Sequence, residues 1–467
     1  MKNIVETLQE VLKTRGNVVW SSPLSDHNKV VATNIFVQSS IEYFMWTQSI
    51  NITDIRKMDE IIRQIMNSNK AKYKLQINSS LYLPRNKGGR GLRNIEMTYK
   101  GTKIKTAIKI LTDTDPRMNL VKQFDVLRRE KNRKSIISEA IRYSEVDFGA
   151  KFEIEDDKVM FKFKKSNDDI VITSDYNIIS KYIKEKQVSI HQENIKKSTW
   201  QGLILQQRLD DKELDIKECF MWNHKWKTCP VEVVNDVHSI YLQTVPTRTF
   251  KKFRGEISTL SVNCRICKSN EAESIRHLLS HCQVFLKTFY KRRHDKVLQY
   301  ILFKLLVKYN LLKSCPPWYS KIEIKKHYES EEMEVLWDIP EYTGIEDENE
   351  DTTLRPDAKI IFKKKKEILV LEQTVPWITN REIKLVEKEN KYKNIIRTIK
   401  IENPDYKVQQ LTFVIDCLGG FSKSLKENVS RLGFSSAEVQ TILIALQKIV
   451  VSEARLLINH FKLVTNL

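Results

Sequence analysis

The stretch with the most chemistry in it is Arg355 to Trp377, RPDAKIIFKKKKEILVLEQTVPW. Two apolar runs, Ala358 to Phe362 and Ile368 to Val375, flank four consecutive lysines, and β-branched runs around a polar break predict two hairpin strands. Folding about the midpoint between Lys364 and Lys365 sets Asp357 opposite Glu372, on one face, with Cβ atoms about 4.5–5.5 Å apart. Two carboxylates that close repel. A hard divalent cation between them relieves the repulsion, and Mg²⁺ in phosphoryl-transfer sites takes one or two carboxylates plus substrate phosphate. Without a cation, the same stretch is a surface hairpin with two solvated acids. Further on, Lys384, Lys388 and Lys391 stand at i, i+4 and i+7 with Tyr392 adjacent, so they share a helix face. A lysine face is ordinarily just solvated. Beside two metal-binding carboxylates, an ammonium can orient the attacking water and offset charge on a transferring phosphoryl group.

A second cluster is Cys264-Arg-Ile-Cys267, nine intervening residues, His277, four more and Cys282. Thiolates two apart can grip one zinc from a tight turn, and His277 and Cys282 are about one helical turn apart, so both can face the same metal. A buried cysteine cluster without metal is the plainer alternative. His281 competes with His277 for the imidazole position. With four protein ligands the site is expected to be structural. Arg265, Lys268 and Arg276 beside it would make the knuckle a nucleic-acid contact.

These groups need elements to hold them. Thr379 and Glu382 have capping-box spacing, which predicts a helix from Asn380 to about Ile401 starting beside Glu372. Leu411 to Cys417 reads as a strand, Gly419-Gly420 turns it, and Ser435 with Glu438 caps a final helix to His460. Upstream, Lys291 to Tyr309 has a basic start on an apolar-faced helix, and Lys291, Arg292, Arg293 and His294 could touch phosphate. Cys315-Pro316-Pro317-Trp318 breaks that helix, Glu334 to Asp338 is a strand candidate, and Glu346 to Asp351 is a solvated acidic loop. The expected order is helix, strand, hairpin, helix, strand, helix.

The N-terminal half reads as helical. The chain opens directly on an amphipathic pattern, IVETLQEVLK, and further helices are expected at Asp54 to Met66, Lys103 to Leu111 and Lys134 to Tyr143, with a turn at Thr112 to Pro116. Between them, Gly88, Gly89 and Gly91 with Arg85, Lys87, Arg90 and Arg93 form a basic loop whose backbone could approach phosphate, or a glycine turn with solvated arginines. Val159 to Lys164 and Ile170 to Thr173 read as strands around the turn at Ser166 to Asp169. Trp200, Phe220, Trp222 and Trp226 could stack bases, but tryptophans at helical spacing favour core.

The 79 Lys and Arg against 59 Asp and Glu leave +20, a surplus spread along the chain that favours a polyanion, nucleic acid before membrane. Arg355, Lys364 and Lys365 add to the candidate nucleic-acid contacts. No signal-peptide core opens the chain and no apolar run approaches 18 residues, so no membrane partner and a reducing compartment are expected, with the seven cysteines as thiols or metal ligands.

Two resemblances follow from these motifs. YFMWTQ at Tyr43 to Gln48, DIRKMDEIIRQI and LYLPRNKGGRGLRNIE resemble the stretch after the palm in reverse transcriptases of non-LTR retrotransposons. The polymerase's Tyr/Phe-Ala-Asp-Asp is absent, since Asp156-Asp157, Asp168-Asp169 and Asp210-Asp211 lie downstream in unrelated contexts. RRHD, the CCHC knuckle, VLWD, RPD, the second acid followed by VPW, and KENKY resemble the restriction-like endonuclease of site-specific non-LTR retrotransposons, and the two together cover most of the chain. The resemblance implies Asp357 and Glu372 as ligands of catalytic Mg²⁺ or Mn²⁺, Lys388 or Lys391 as catalytic lysine with Tyr392 beside it, and a nick that primes reverse transcription. Thr374 stands two after the second acid, where restriction enzymes commonly carry lysine, so the lysine is expected from the helix.

The expected fold is α+β and multidomain: a thumb-like helical segment (1–125), a helical linker with a β patch (126–250), the zinc knuckle (251–290) and a restriction-endonuclease-like α/β domain (291–467). Duplex target DNA, element RNA and a palm-containing polymerase portion are the implied partners, in the nucleus after cytoplasmic synthesis. The alternative is an inactive nucleic-acid-binding fragment of a decayed or host-adopted element.

Overall fold

Apolar periodicity and helix caps account for most of the architecture in the computed structural model, which describes residues 2–155, 158–165, 168–214, 218–257, 261–320, 324–342 and 353–466. The acidic loop at 346–351, the Asp156-Asp157 pair and the first half of the turn at 166–169 lie outside the described residues. The protein is α+β with mixed sheets, and it divides into two compact units. One comprises Met1–Gly202 with Lys227–Asn235, and the other Leu203–Trp226 with Asp236–Leu467. The expected boundaries at 125, 250 and 290 are therefore not unit boundaries. The Cys/His knuckle shares its unit with everything from 291 onward.

In the first unit, helices α1 (Lys2–Ser21), α2 (Ile52–Ser68), α3 (Ile95–Thr112), α4 (Pro116–Glu130) and α5 (Ile136–Val146) precede a three-stranded antiparallel sheet. α2 buries Ile55, Met58, Ile62, Ile65 and Met66, the one-sided pattern that sequence periodicity predicts. The turn at 112–116 ends α3 and starts α4: Asp115 caps α4, accepting from Arg117 N at 2.8 Å, and Pro116 occupies the first turn, where its missing N–H costs nothing. The sheet comprises β1 (Lys151–Glu155), β2 (Lys158–Lys164) and β3 (Ile170–Thr173), followed by α6 (Tyr176–Lys197). β1 was not expected from the sequence.

The second unit is built on a five-stranded sheet. α7 (Lys291–Lys308) leads to β4 (His327–Glu329), β5 (Met333–Trp337), β6 (Ala358–Phe362) and β7 (Glu367–Thr374). Then follow α8 (Arg381–Lys391), α9 (Lys393–Glu402), β8 (Lys407–Val414), α10 (Lys423–Arg431) and α11 (Ser436–Val464). The strand order is β8-β7-β6-β5-β4, with β8 parallel to β7 and the rest antiparallel. On one face Val335, Ile360, Leu369, Leu371 and Phe413 form a core with α7 and α11; on the other Ile368, Val370 and Val408 pack against Tyr392, Ile395 and Ile399. Buried on both faces, β7 reads as a continuous apolar run rather than an alternation. Phe220 and Trp222 are buried, Trp222 stacked on Tyr241, as the core expectation has it.

Ser435 and Glu438 form the expected capping box at the start of α11. The box expected at Thr379 does not form. Asn380 precedes α8 without a side-chain cap bond, and Thr379 Oγ1 donates to Asn380 Oδ1 instead. The helix expected to run unbroken to about Ile401 is interrupted at Tyr392, whose ring is 1% exposed because it turns in under the sheet.

Candidate active site and metal centre

The register of the hairpin brings the two acids together. β6 and β7 pair Ala358 with Leu371 and Phe362 with Glu367 around the turn Lys363–Lys366; Asp357 and Glu372 are the next residues past the Ala358–Leu371 end, close enough for the Asp357 charge to act on Glu372. Glu372 follows Ile368 and Val370 onto the face that carries Tyr392 and α8, while the Asp357 side chain reaches His294 of α7. The two carboxylates are not equivalent. The Asp357 side chain is 20% exposed and Glu372 only 1%. Asp357 opens onto a cavity of about 450 Å³ lined by Tyr290, Arg293, His294, Trp337 and Asp338 among others. Its Oδ2 accepts from Gln373 N at 2.7 Å and faces His294 Nε2 at 3.2 Å.

His294 Nδ1 in turn faces Asp295 Oδ1 at 3.0 Å, and Nε2 donates to the Gln373 carbonyl at 2.8 Å. Burial works against a charged imidazole here, but Asp295 and Asp357 outweigh it and hold the ring protonated up to about pH 10. Burial and the neighbouring Asp357 charge raise the Glu372 carboxyl above its ordinary value, while Lys388 pulls it back. Lys388 Nζ donates to Glu372 Oε1, and Glu372 Oε2 is buried without a hydrogen-bond partner. The Tyr392 hydroxyl donates to the Arg355 carbonyl at 3.0 Å, and burial with the charges of Glu372 and Asp357 pushes its pKa upward. Of the three lysines on the helix, Lys384 pairs with Glu387 and Lys391 is exposed over the Tyr392 ring. Lys388 is the one that reaches the acids, because its position on α8 faces β7.

The second centre is the knuckle. The ligand atoms of Cys264, Cys267, His277 and Cys282 all lie within 4.8 Å of one another, so this group could bind a metal ion such as zinc. Cys264 N bonds to Glu271 O at 2.9 Å and Lys268 N to Cys264 O at 3.0 Å, a tight turn that Lys268 completes at φ 55°. Ser274 caps the short helix carrying His277, accepting from His277 N at 3.1 Å. Glu271 Oε2 lies 2.6 Å from His277 Nδ1, which orients Nε2 toward Cys267 Sγ at 3.3 Å. A hydrogen bond from Cys282 draws the Cys264 thiol well below its ordinary pKa; burial opposes charge on His277, yet Cys264 and Glu271 raise its pKa to about 9. Those protons are what a metal would displace. His281 stands outside the cluster, with Nδ1 3.5 Å from the Arg276 carbonyl. Glu271 was not expected from the sequence; an acid within the nine-residue gap was the one available signal.

The expected nucleic-acid contacts separate by burial. Arg90, 1% exposed, and Arg85, 7%, both turn inward onto Asp26, so neither guanidinium is presented to a phosphate; the glycine loop is a folded clamp. Burial lowers the pKa of Arg85 to about 10 and that of Arg90 to about 9. Arg293 is also buried, donating to the Leu279 carbonyl at 2.9 Å. Arg265 is committed to Glu273 at 2.7 Å rather than to a knuckle surface. Lys87, Arg93, Arg292, Arg355, Lys364, Lys365, Lys268 and Arg276 are exposed. Arg292 pairs with Glu453 at 2.7 Å and Lys364 with Glu332 at 2.5 Å.

A further buried network had no sequence signal. Asp416 takes ion pairs from Arg208 and Arg381 and hydrogen bonds from Leu418 N at 2.9 Å and Gly420 N at 3.1 Å. A Cβ at Gly420 would collide with the Arg208 guanidinium, so glycine is what lets the arginine in. Among the described residues no helix is long and apolar enough to cross a membrane. No protein-family model matches the chain, and no curated protein matches its sequence.

Proposed function

We propose that the chain is the C-terminal part of a site-specific non-LTR retrotransposon protein. Its second unit is a zinc-bearing, restriction-like endonuclease that nicks duplex target DNA to prime reverse transcription of element RNA in the nucleus. The observation that carries this reading is the triad of neighbouring Asp357 and Glu372 with Lys388 docked on Glu372. The unpartnered Glu372 Oε2 is what a cation would meet, so the acids fit Mg²⁺ or Mn²⁺. Such an ion, when bound, supplies polarisation of the phosphate and activation of water. Lys388 opposes the upward shift of the Glu372 carboxyl and holds a positive charge beside the phosphoryl group, and Tyr392 fixes the Arg355 backbone next to Asp357. The resemblance of the N-terminal stretch to the segment after the palm of such reverse transcriptases supports the same reading.

One observation favours the second reading, an inactive nucleic-acid binder. His294 and Lys388 already counter both carboxylates without any metal. Nicking of supercoiled plasmid separates the two. The endonuclease should nick with Mg²⁺ or Mn²⁺ and not with Ca²⁺, which takes more ligands at longer distances. Asp357→Ala should abolish nicking while leaving DNA affinity nearly intact. Lys388→Ala should slow it by about 10²–10³-fold, and Lys391→Ala should leave the rate near that of the parent. No cleavage from folded protein on any duplex, including the insertion locus, would leave the binder standing, and cleavage that survives Asp357→Ala would remove the carboxylate pair as the active site.

A further inference from the structure

Beside the cavity that holds Asp357 is a second concavity of about 530 Å³, and Lys291 and Asp295 belong to the walls of both. Its cations are Lys287, Lys291, Arg292 and Lys296, against the acids Asp295 and Glu453, a surplus of two positive charges (4 − 2). Glu453 is 3% exposed and accepts from both Arg292 Nε at 2.7 Å and Lys296 Nζ at 2.8 Å. A buried acid therefore fixes two cations at the rim. Lys287 and Lys291 are exposed, and among the described residues neither has a carboxylate within ion-pair distance.

At the same groove Tyr319 is 68% exposed. It is not a loose surface ring. Trp318 meets it edge-to-face at 5.6 Å, and Trp226 braces Trp318 at 5.2 Å. A row of cations accepts backbone phosphates, and a braced, exposed ring offers a surface to the face of a base; together they fit a strand with an unpaired base. An acidic peptide would satisfy the cations but has no use for the tyrosine.

We propose that a nucleic-acid strand leaves the Asp357 cavity across the first turn of α7, its phosphates on Lys291 and Lys287, with one unpaired base stacked on Tyr319. The polyanion partner rests on the endonuclease reading, but the track is tested through binding alone. Anisotropy with a labelled single strand of about 16 nucleotides and with its duplex, without added divalent cation, keeps cleavage out of the measurement. The double variant Lys287→Ala/Lys291→Ala should weaken single-strand binding at least tenfold and lower the log–log salt slope by about 1.4, two phosphate contacts' worth. Tyr319→Ala should weaken single-strand binding about tenfold and leave duplex binding unchanged, and Tyr319→Trp should restore it. Unchanged melting confirms that each variant folds. An unchanged salt slope in the double variant, or equal competition by polyglutamate, would remove the strand from the groove. Equal loss for both DNA forms in Tyr319→Ala would remove the stacked base. Protein that binds as described but never nicks contradicts only the endonuclease reading, and protein that nicks but ignores these substitutions contradicts only the track.

Discussion

Burial decides what His191 does with a proton. The side chain is 6% exposed on α6, its ring centroid 4.9 Å from that of Tyr82, with Nδ1 unpartnered. Burial brings its pKa down to about 4, against about 6.5 in an unfolded chain. The unfolded state therefore binds the extra proton first, and stability falls as pH drops from 6.5 toward 4. Between pH 7 and pH 5 the loss from this one residue should be about 2 kcal/mol. Urea unfolding of parent and His191→Phe at both pH values reads it as the difference between the two. Equal acid sensitivity in the variant would mean that the imidazole is protonated in the fold.

At the scale of elements, the glycine loop at 81–94 is a clamp whose tightness depends on one position. A Cβ at Gly89 would lie 2.1 Å from the Leu83 carbonyl oxygen. The clamp closes on Asp26, which is fully buried and begins the helix Asp26–Ala32, with Ser25 as its cap. Asp26→Asn would leave two buried guanidiniums without their anion, and it should cost about 3 kcal/mol or more in chemical denaturation. Lys87→Ala and Arg93→Ala, on the exposed side of the same loop, should stay within about 0.5 kcal/mol of the parent. A mild Asp26→Asn would mean that the arginines turn out to solvent and that the phosphate-contact expectation for this loop is correct after all.

At the scale of the whole molecule, metal should matter to one unit and not to the other. The four knuckle ligands belong to the second unit, and metal binding to a set assembled only in the fold adds directly to its stability. Protein purified under reducing conditions should carry about one zinc per chain, one closed four-ligand site. Chelation should lower the unfolding midpoint of the second unit, while the acid response of His191 stays where it is. Cys264→Ser should lose the zinc and His281→Ala should keep it, by metal analysis. Zinc retained in Cys264→Ser would remove the knuckle as its site.

The amino-acid sequence determined what depends on near neighbours. The hairpin register follows from two apolar runs around four lysines, the Cys-x2-Cys and His-x4-Cys spacings are set by one turn and one short helix, and the Ser435–Glu438 box closes within a single turn. The tertiary structure decided everything that depends on distant partners. Arg90 finds Asp26 across 64 positions and Arg208 finds Asp416 across 208, and no local pattern distinguishes those arginines from exposed ones such as Arg93. It also chose His277 over His281 and Lys388 over Lys391. Chain spacing allows either member of each pair, but only one can face the cysteines or the second acid once its helix has packed. The break at Tyr392 has the same origin: helix periodicity continues through it, and burial of one ring under the sheet overrides it.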